Sequence, residues 1–172
     1  MCSRSGQRGG SKEPGDHALG RSRGGFTTKI HLVCDGRGTP LAVEVSAGQA
    51  HDSRFFLPVF EATRLPRTRH RARYRPDKLA GDKGYNVEWI RQWLRRHRIE
   101  PVIPRRVPEN APQETFDKEA YRGRNVVERC IGWLKECRRV FSRFDKLAIS
   151  YLAFLKVAIL QRLLKFDFSD RP

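Results

Sequence analysis

Acidic side chains are scarce in this sequence: 19 Asp and Glu stand against 35 Lys and Arg, a formal net charge of +16 with a pI near 10.6. A compact chain with that excess repels itself and favours a polyanionic partner, of which nucleic acid, with phosphates matched to arginine, is the leading class. Long apolar runs are absent too. The longest, Tyr151 to Leu164, is interrupted by Lys156, Gln161 and Arg162, so no segment reads as a membrane span. No secretory signal stands at the N-terminus, and the expected location is the cytoplasm, at the nucleoid. Cysteines number four, with no CxxC pair and no histidine at zinc-finger spacing, which argues against a structural zinc site and for reduced thiols. Cys130 and Cys137, seven apart on one helical pattern, are expected to face a core.

What is present is organised around Tyr121 to Lys146, YRGRNVVERCIGWLKECRRVFSRFDK, read as one long helix. Tyr121, Arg124, Glu128 and Lys135 fall on nearly one face of it. Val127, Ile131, Trp133, Leu134 and Cys137 form the opposite, core-directed side. Arg138 and Arg139, just beyond Lys135, extend its basic character and join Tyr121, Arg124 and Lys135 as candidate DNA-binding residues. The same pattern also fits an ordinary amphipathic surface helix with an Arg–Glu pair.

Taken in order, residues 1–24 read as a basic flexible arm rich in Gly, Ser and Arg. Phe26–Cys34 and Leu41–Val45 read as the strands of a hairpin around the turn Asp35-Gly36-Arg37-Gly38. Phe55–Ala62 is a short helix that Asp52 or Ser53 caps. Residues 63–76 carry six arginines and are either a solvated loop or one that touches a nucleic-acid backbone. Asp77–Asp82 is a strand leading into GDKGY, Asn86–His97 a helix, and Glu100–Ile103 a further strand, the spacing of a parallel crossover. Residues 104–119 are a Pro-rich loop. A last helix from Lys146 to Lys165 presents Leu147, Ile149, Leu152, Leu155, Ile159 and Leu163 to the core, before a tail at 166–172. Together these describe an α/β fold with a mixed sheet and flanking helices in a domain spanning 25–165.

Asp82 closes a strand, where open α/β sheets place their ligands, and Gly81 and Gly84 permit close backbone approach. With Glu128 it would supply two carboxylates for hard divalent cations at a phosphodiester, while Arg124 and Lys135 neutralise and position the backbone.

The stretches ALGRSRGGFTTKIHLVCDGRGTPL, SAGQAHDS, GDKGY and the Tyr121-x2-Arg124-x3-Glu128-x6-Lys135 helix resemble the IS5-type branch of the IS4-like DDE transposases of bacterial insertion sequences, over about residues 18–164. The resemblance implies an RNase H-like fold and cleavage and strand transfer at the ends of an insertion sequence, with Mg2+ or Mn2+ as cofactor. It assigns Asp82 and Glu128 as catalytic, metal-binding acids, and double-stranded DNA (element ends and target) as partner. It also implies a first catalytic aspartate on a central strand before GRSRGG. That apolar strand is not found in residues 1–17, whose only aspartate is Asp16, in a polar setting. Asp35 and Asp52 fall outside the triad by position. The expectation is therefore a C-terminal catalytic part without its first central strand, inactive alone and prone to associate with itself or with the product of an upstream frame. The alternative is a DNA-binding fragment without catalysis that inhibits an intact transposase.

Overall fold

Strand β2 (Gly25–Cys34) and strand β3 (Pro40–Ala47) form an antiparallel hairpin around which the computed structural model is built. The structure describes residues 16–22, 25–63, 76–105 and 117–169. Asp35 shapes the hairpin turn: its Oδ1 accepts the amides of Arg37 (2.9 Å) and Thr39 (2.8 Å). Burial opposes its ionisation, but these bonds prevail and hold the carboxyl below its ordinary value. Gly38, at φ +90°, brings the turn onto the helix below, where Cys130 Sγ donates to its carbonyl at 2.8 Å.

Register pairs Ile30 with Val45 and Leu32 with Val43 on one face, and Lys29 with Ser46 and His31 with Glu44 on the other. The apolar face is covered by α4 (Asn125–Glu136), α5 (Arg138–Phe141) and α6 (Ala148–Ser169), whose Leu134, Val140, Tyr151, Leu155 and Ala158 form the first core. Leu134 and Leu155 are fully buried, each stabilising by about 1.5–3 kcal/mol. A second core joins α1 (Phe56–Glu61), α2 (Glu88–Arg96) and the segments flanking strand β5 (Glu100–Val102), through Phe56, Phe60, Ile90, Leu94, Ile99 and Ile103. Trp93 sits edge-on to Phe56 and Phe60 and stacks on His97.

The expected crossover is present: strand β4 (Lys78–Ala80), then α2, then β5 parallel to β4. Pro101 stands opposite Leu79 in this ladder. The chain is thus a mixed α/β fold with sheets flanked by helices. Its described strands form two ladders, an antiparallel one of three strands and this parallel pair.

Several expectations are corrected. Residues 20–22 belong not to an arm but to strand β1 (Gly20–Ser22), paired with Gly25–Thr27. The long helix from Tyr121 is three: α3 (Lys118–Gly123), α4 and α5, broken at Arg124 and at Cys137, whose ψ of 112° is extended. Ile131 lies on the side of Lys135, not opposite it. His51, rather than Asp52 or Ser53, caps the 3-10 turn Asp52–Phe55, its ring accepting from Ser53 N. α6 begins at Ala148, runs to Ser169, and buries Tyr151, Leu155 and Ala158, while Ile149 is 74% exposed. Residues 64–75 and 106–116, the arginine run and most of the Pro-rich loop, lie outside the described residues, as do 1–15.

Candidate active site

The polar face of the hairpin meets the loop after β4. His31, 3% exposed, is held between Ser46 Oγ (2.8 Å from Nε2) and Tyr85 OH (2.9 Å from Nδ1), and its ring stacks on Phe55 at 4.7 Å. Loss of hydration on burial lowers its pKa, with Lys29 adding to this and Asp52 and Asp82 opposing it, so the ring is neutral at pH 7. Burial likewise raises the pKa of Tyr85, and the two aspartates raise it further. Its hydroxyl stays protonated.

Asp52 and Asp82 come from separate segments to the same point. Asp52 Oδ1 accepts from Lys29 Nζ at 2.8 Å, and the same ammonium donates to Ala50 O. Asp82 leaves the end of β4 and caps the next turn, its Oδ1 accepting from Gly84 N at 2.8 Å. A Cβ on Gly84 would stand 2.5 Å from Asp52 Oδ2 and 3.0 Å from Asp82 Oδ1. Only glycine leaves room for both carboxylates there.

These groups line a cavity of about 330 Å³ together with Thr28, Lys29, Ile30 and His31 of β2 and with Ile131 and Lys135 of α4. Four consecutive strand residues in one wall mean that the cavity runs along the edge of β2, since side chains alone would alternate. Of the residues expected at the site, Asp82 and Lys135 meet here. Glu128 lies one turn before Ile131 on α4, 58% exposed, and its Oε1 accepts from Arg124 NH2 at 2.6 Å. Arg124 also lies over the Tyr121 ring at 5.2 Å, none of these three lines the cavity, and Arg124 Nε is buried without a hydrogen-bond partner. Arg139 covers the ring of Phe154 at 4.2 Å, and Arg138 is exposed. Neither lines the cavity.

Among the described residues no group of three His, Cys, Asp or Glu side chains stands close enough to hold a metal ion. The two aspartates still fit a hard divalent cation in kind, since Mg2+ is commonly held by one or two carboxylates with water and substrate phosphate completing its shell. Sequence reasoning missed Lys29, His31 and Tyr85 as site residues. The visible signal was a basic residue and a histidine at alternating positions of β2, on the face opposite Ile30 and Leu32.

No helix among the described residues is long and apolar enough to cross a membrane. Residues 4–161 match the family model of the transposase DDE domain. A putative transposase for insertion sequence element IS402 from Burkholderia cepacia is 35% identical over 152 residues, covering 88% of this chain and 68% of that protein. No solved structure matches the chain.

Proposed function

The chain belongs to the family of transposases with a DDE domain, and on that premise we propose that it is the catalytic part of an IS5-type transposase, cutting and joining DNA at insertion-sequence ends. The observation that carries the reading is the meeting of three separated motif stretches at one cavity: His51-Asp52-Ser53, Gly81-Asp82-Lys83-Gly84-Tyr85 and the helix of Glu128 and Lys135. Asp82 is the central acid of the proposed site. Glu128, on the face of α4 that Ile131 and Lys135 present to the cavity, would hold the cation with it. Bound Mg2+ or Mn2+ supplies an activated nucleophile and charge for the leaving oxygen.

The protein's own groups do the rest. Lys135 opposes the phosphate charge from the α4 side, and Arg124, once parted from Glu128, offers its fork to the adjacent phosphate. Neutral His31 and the protonated Tyr85 hydroxyl keep further charge out of the cavity and fix its floor. An RNase H-like arrangement needs one more strand, between the edge of β2 and that of β4, to join the two ladders into a single mixed sheet.

The position of Glu128 outside the cavity favours a second reading, DNA binding without cleavage. Nicking of supercoiled plasmid with Mg2+, measured beside DNA affinity, decides between them. On the first reading the wild-type chain nicks and Asp82→Asn loses at least about 100-fold of that activity, with affinity unchanged. Binding without nicking in both proteins would leave the second reading standing.

A further inference from the structure

Two phenylalanines that a core would readily take up stand outside both cores. Phe26 of β2 is 75% exposed, and Phe144, in the loop between α5 and α6, is 63% exposed. The fold sets them beside one joint. Arg143, whose guanidinium lies over the Tyr151 ring at 4.9 Å, donates to Thr28 Oγ1 and to the carbonyls of His17 and Ala18. Phe144 follows Arg143 directly. Phe26 stands two residues before Thr28 in β2, so these two side chains lie on one face of the strand. Arg21 of β1 pairs with Phe26, shares that face and is exposed as well.

The joint is also one end of the cavity. Residues 28–31 of β2 form a wall of it, and Thr28 is the member of that wall nearest the rings. A strand with a phosphate at Lys135 and Asp82 would leave the cavity over Thr28 and pass Phe26 and Phe144. Charge decides the class of occupant. The segments 17–27 and 137–147 hold six Lys and Arg against one acid, Asp145. Rings set among so many cations do not suit an apolar protein partner. A single nucleic-acid strand offers both counterparts, phosphates for the cations and base faces for the rings.

We propose that Phe26 and Phe144 form a stacking platform for unpaired bases of a DNA strand that enters the cavity. Inside a duplex the base faces are already covered by their neighbours, so an exposed ring gains a partner only from an opened or single-stranded segment. Arg21, opposite Phe26, meets the phosphate of the nucleotide whose base that ring covers. The inference rests on the reading of the cavity as a DNA site, and it adds the state of the DNA there: unpaired beside the Thr28 end.

Fluorescence anisotropy of a labelled oligothymidylate with the full chain, beside a duplex of the same length, tests it. Phe26→Leu and Phe144→Leu are the informative variants, because leucine keeps apolar surface at an exposed position and removes the ring. Phe144→Trp keeps a ring. The expected result is that each leucine variant binds the single strand about tenfold more weakly and the duplex as the wild type does, while Phe144→Trp binds the single strand at least as tightly as the wild type. Single-strand binding that the leucine variants preserve overturns stacking. Equal losses on both DNAs overturn the preference for unpaired bases. Leucine variants that dissociate an oligomer in sedimentation assign the rings to a second copy and overturn the platform. Nicking separates the two readings. Ring-dependent single-strand binding by a chain that does not nick removes the catalytic reading and leaves the platform, whereas nicking by a chain whose leucine variants bind normally removes the platform and leaves the catalytic reading.

Discussion

Replacing Gly84 with alanine tests the geometry of the site at its tightest point. The new methyl would meet Asp52 Oδ2 at 2.5 Å, closer than a carbon–oxygen contact permits, and Asp82 Oδ1 at 3.0 Å, tighter than most such contacts. Asp52 cannot swing aside without losing Lys29, and Asp82 cannot without giving up the Gly84 amide. Overpacking of this kind costs about 1–3 kcal/mol. At about 2–4 °C per kcal/mol for a chain of this size, the midpoint of thermal unfolding should fall by some 2–12 °C. Gly132, exposed on α4 with nothing within 4 Å of its Cβ position, is the control. There alanine should stabilise by about 0.5–1 kcal/mol, because glycine inside a helix costs that much. Thermal unfolding followed by circular dichroism reads both. A Gly84→Ala protein that melts with the wild type, or a Gly132→Ala protein that melts below it, would refute the placement of the two carboxylates or of α4.

His31 makes stability depend on pH. Its folded pKa lies below the unfolded value near 6.5, so its contribution is complete above that value and is lost as pH falls through 6.5 toward the folded pKa. The unfolding free energy from urea titrations should drop on acidification, by up to about 1.4 kcal/mol per pH unit from this group, and His31→Gln should flatten that slope. An unchanged slope counts against the buried neutral ring. Leu155→Ala, at a fully buried position of the first core, should cost about 2–5 kcal/mol in urea unfolding, and a loss under 1 kcal/mol would contradict that packing. Lys135→Ala should weaken binding to any duplex and lower the dependence of log affinity on log salt by about 1. A salt slope equal to the wild type's would take Lys135 off the DNA.

The hairpin was legible because Ile30 and Leu32 alternate with Lys29 and His31 and because Asp35-Gly36-Arg37-Gly38 punctuates the two strands. The crossover around α2 was legible from the apolar spacing of Ile90 and Leu94. Three joints were not. The break at Cys137 carries no Gly or Pro, and it follows from how Val140 must turn to reach the core beneath β3. Ile149 matches the periodicity of α6, yet the helix rotates to bury Tyr151 and Ala158 against the hairpin, and one helix cannot bury every side. Residues 20–22 are polar enough to read as an arm, and their strand exists only because β2 offers them an edge.

By itself the sequence determined the charge that calls for a polyanion, the local elements and the family, because these depend on composition, short-range periodicity and residue identity at fixed spacing. The tertiary structure alone decided which acids share a space. It brought Asp52 to Asp82 over Gly84 and set Glu128 against Arg124 a turn from the cavity. Those outcomes depend on strand register and helix rotation, which are settled by contacts between residues far apart in the chain.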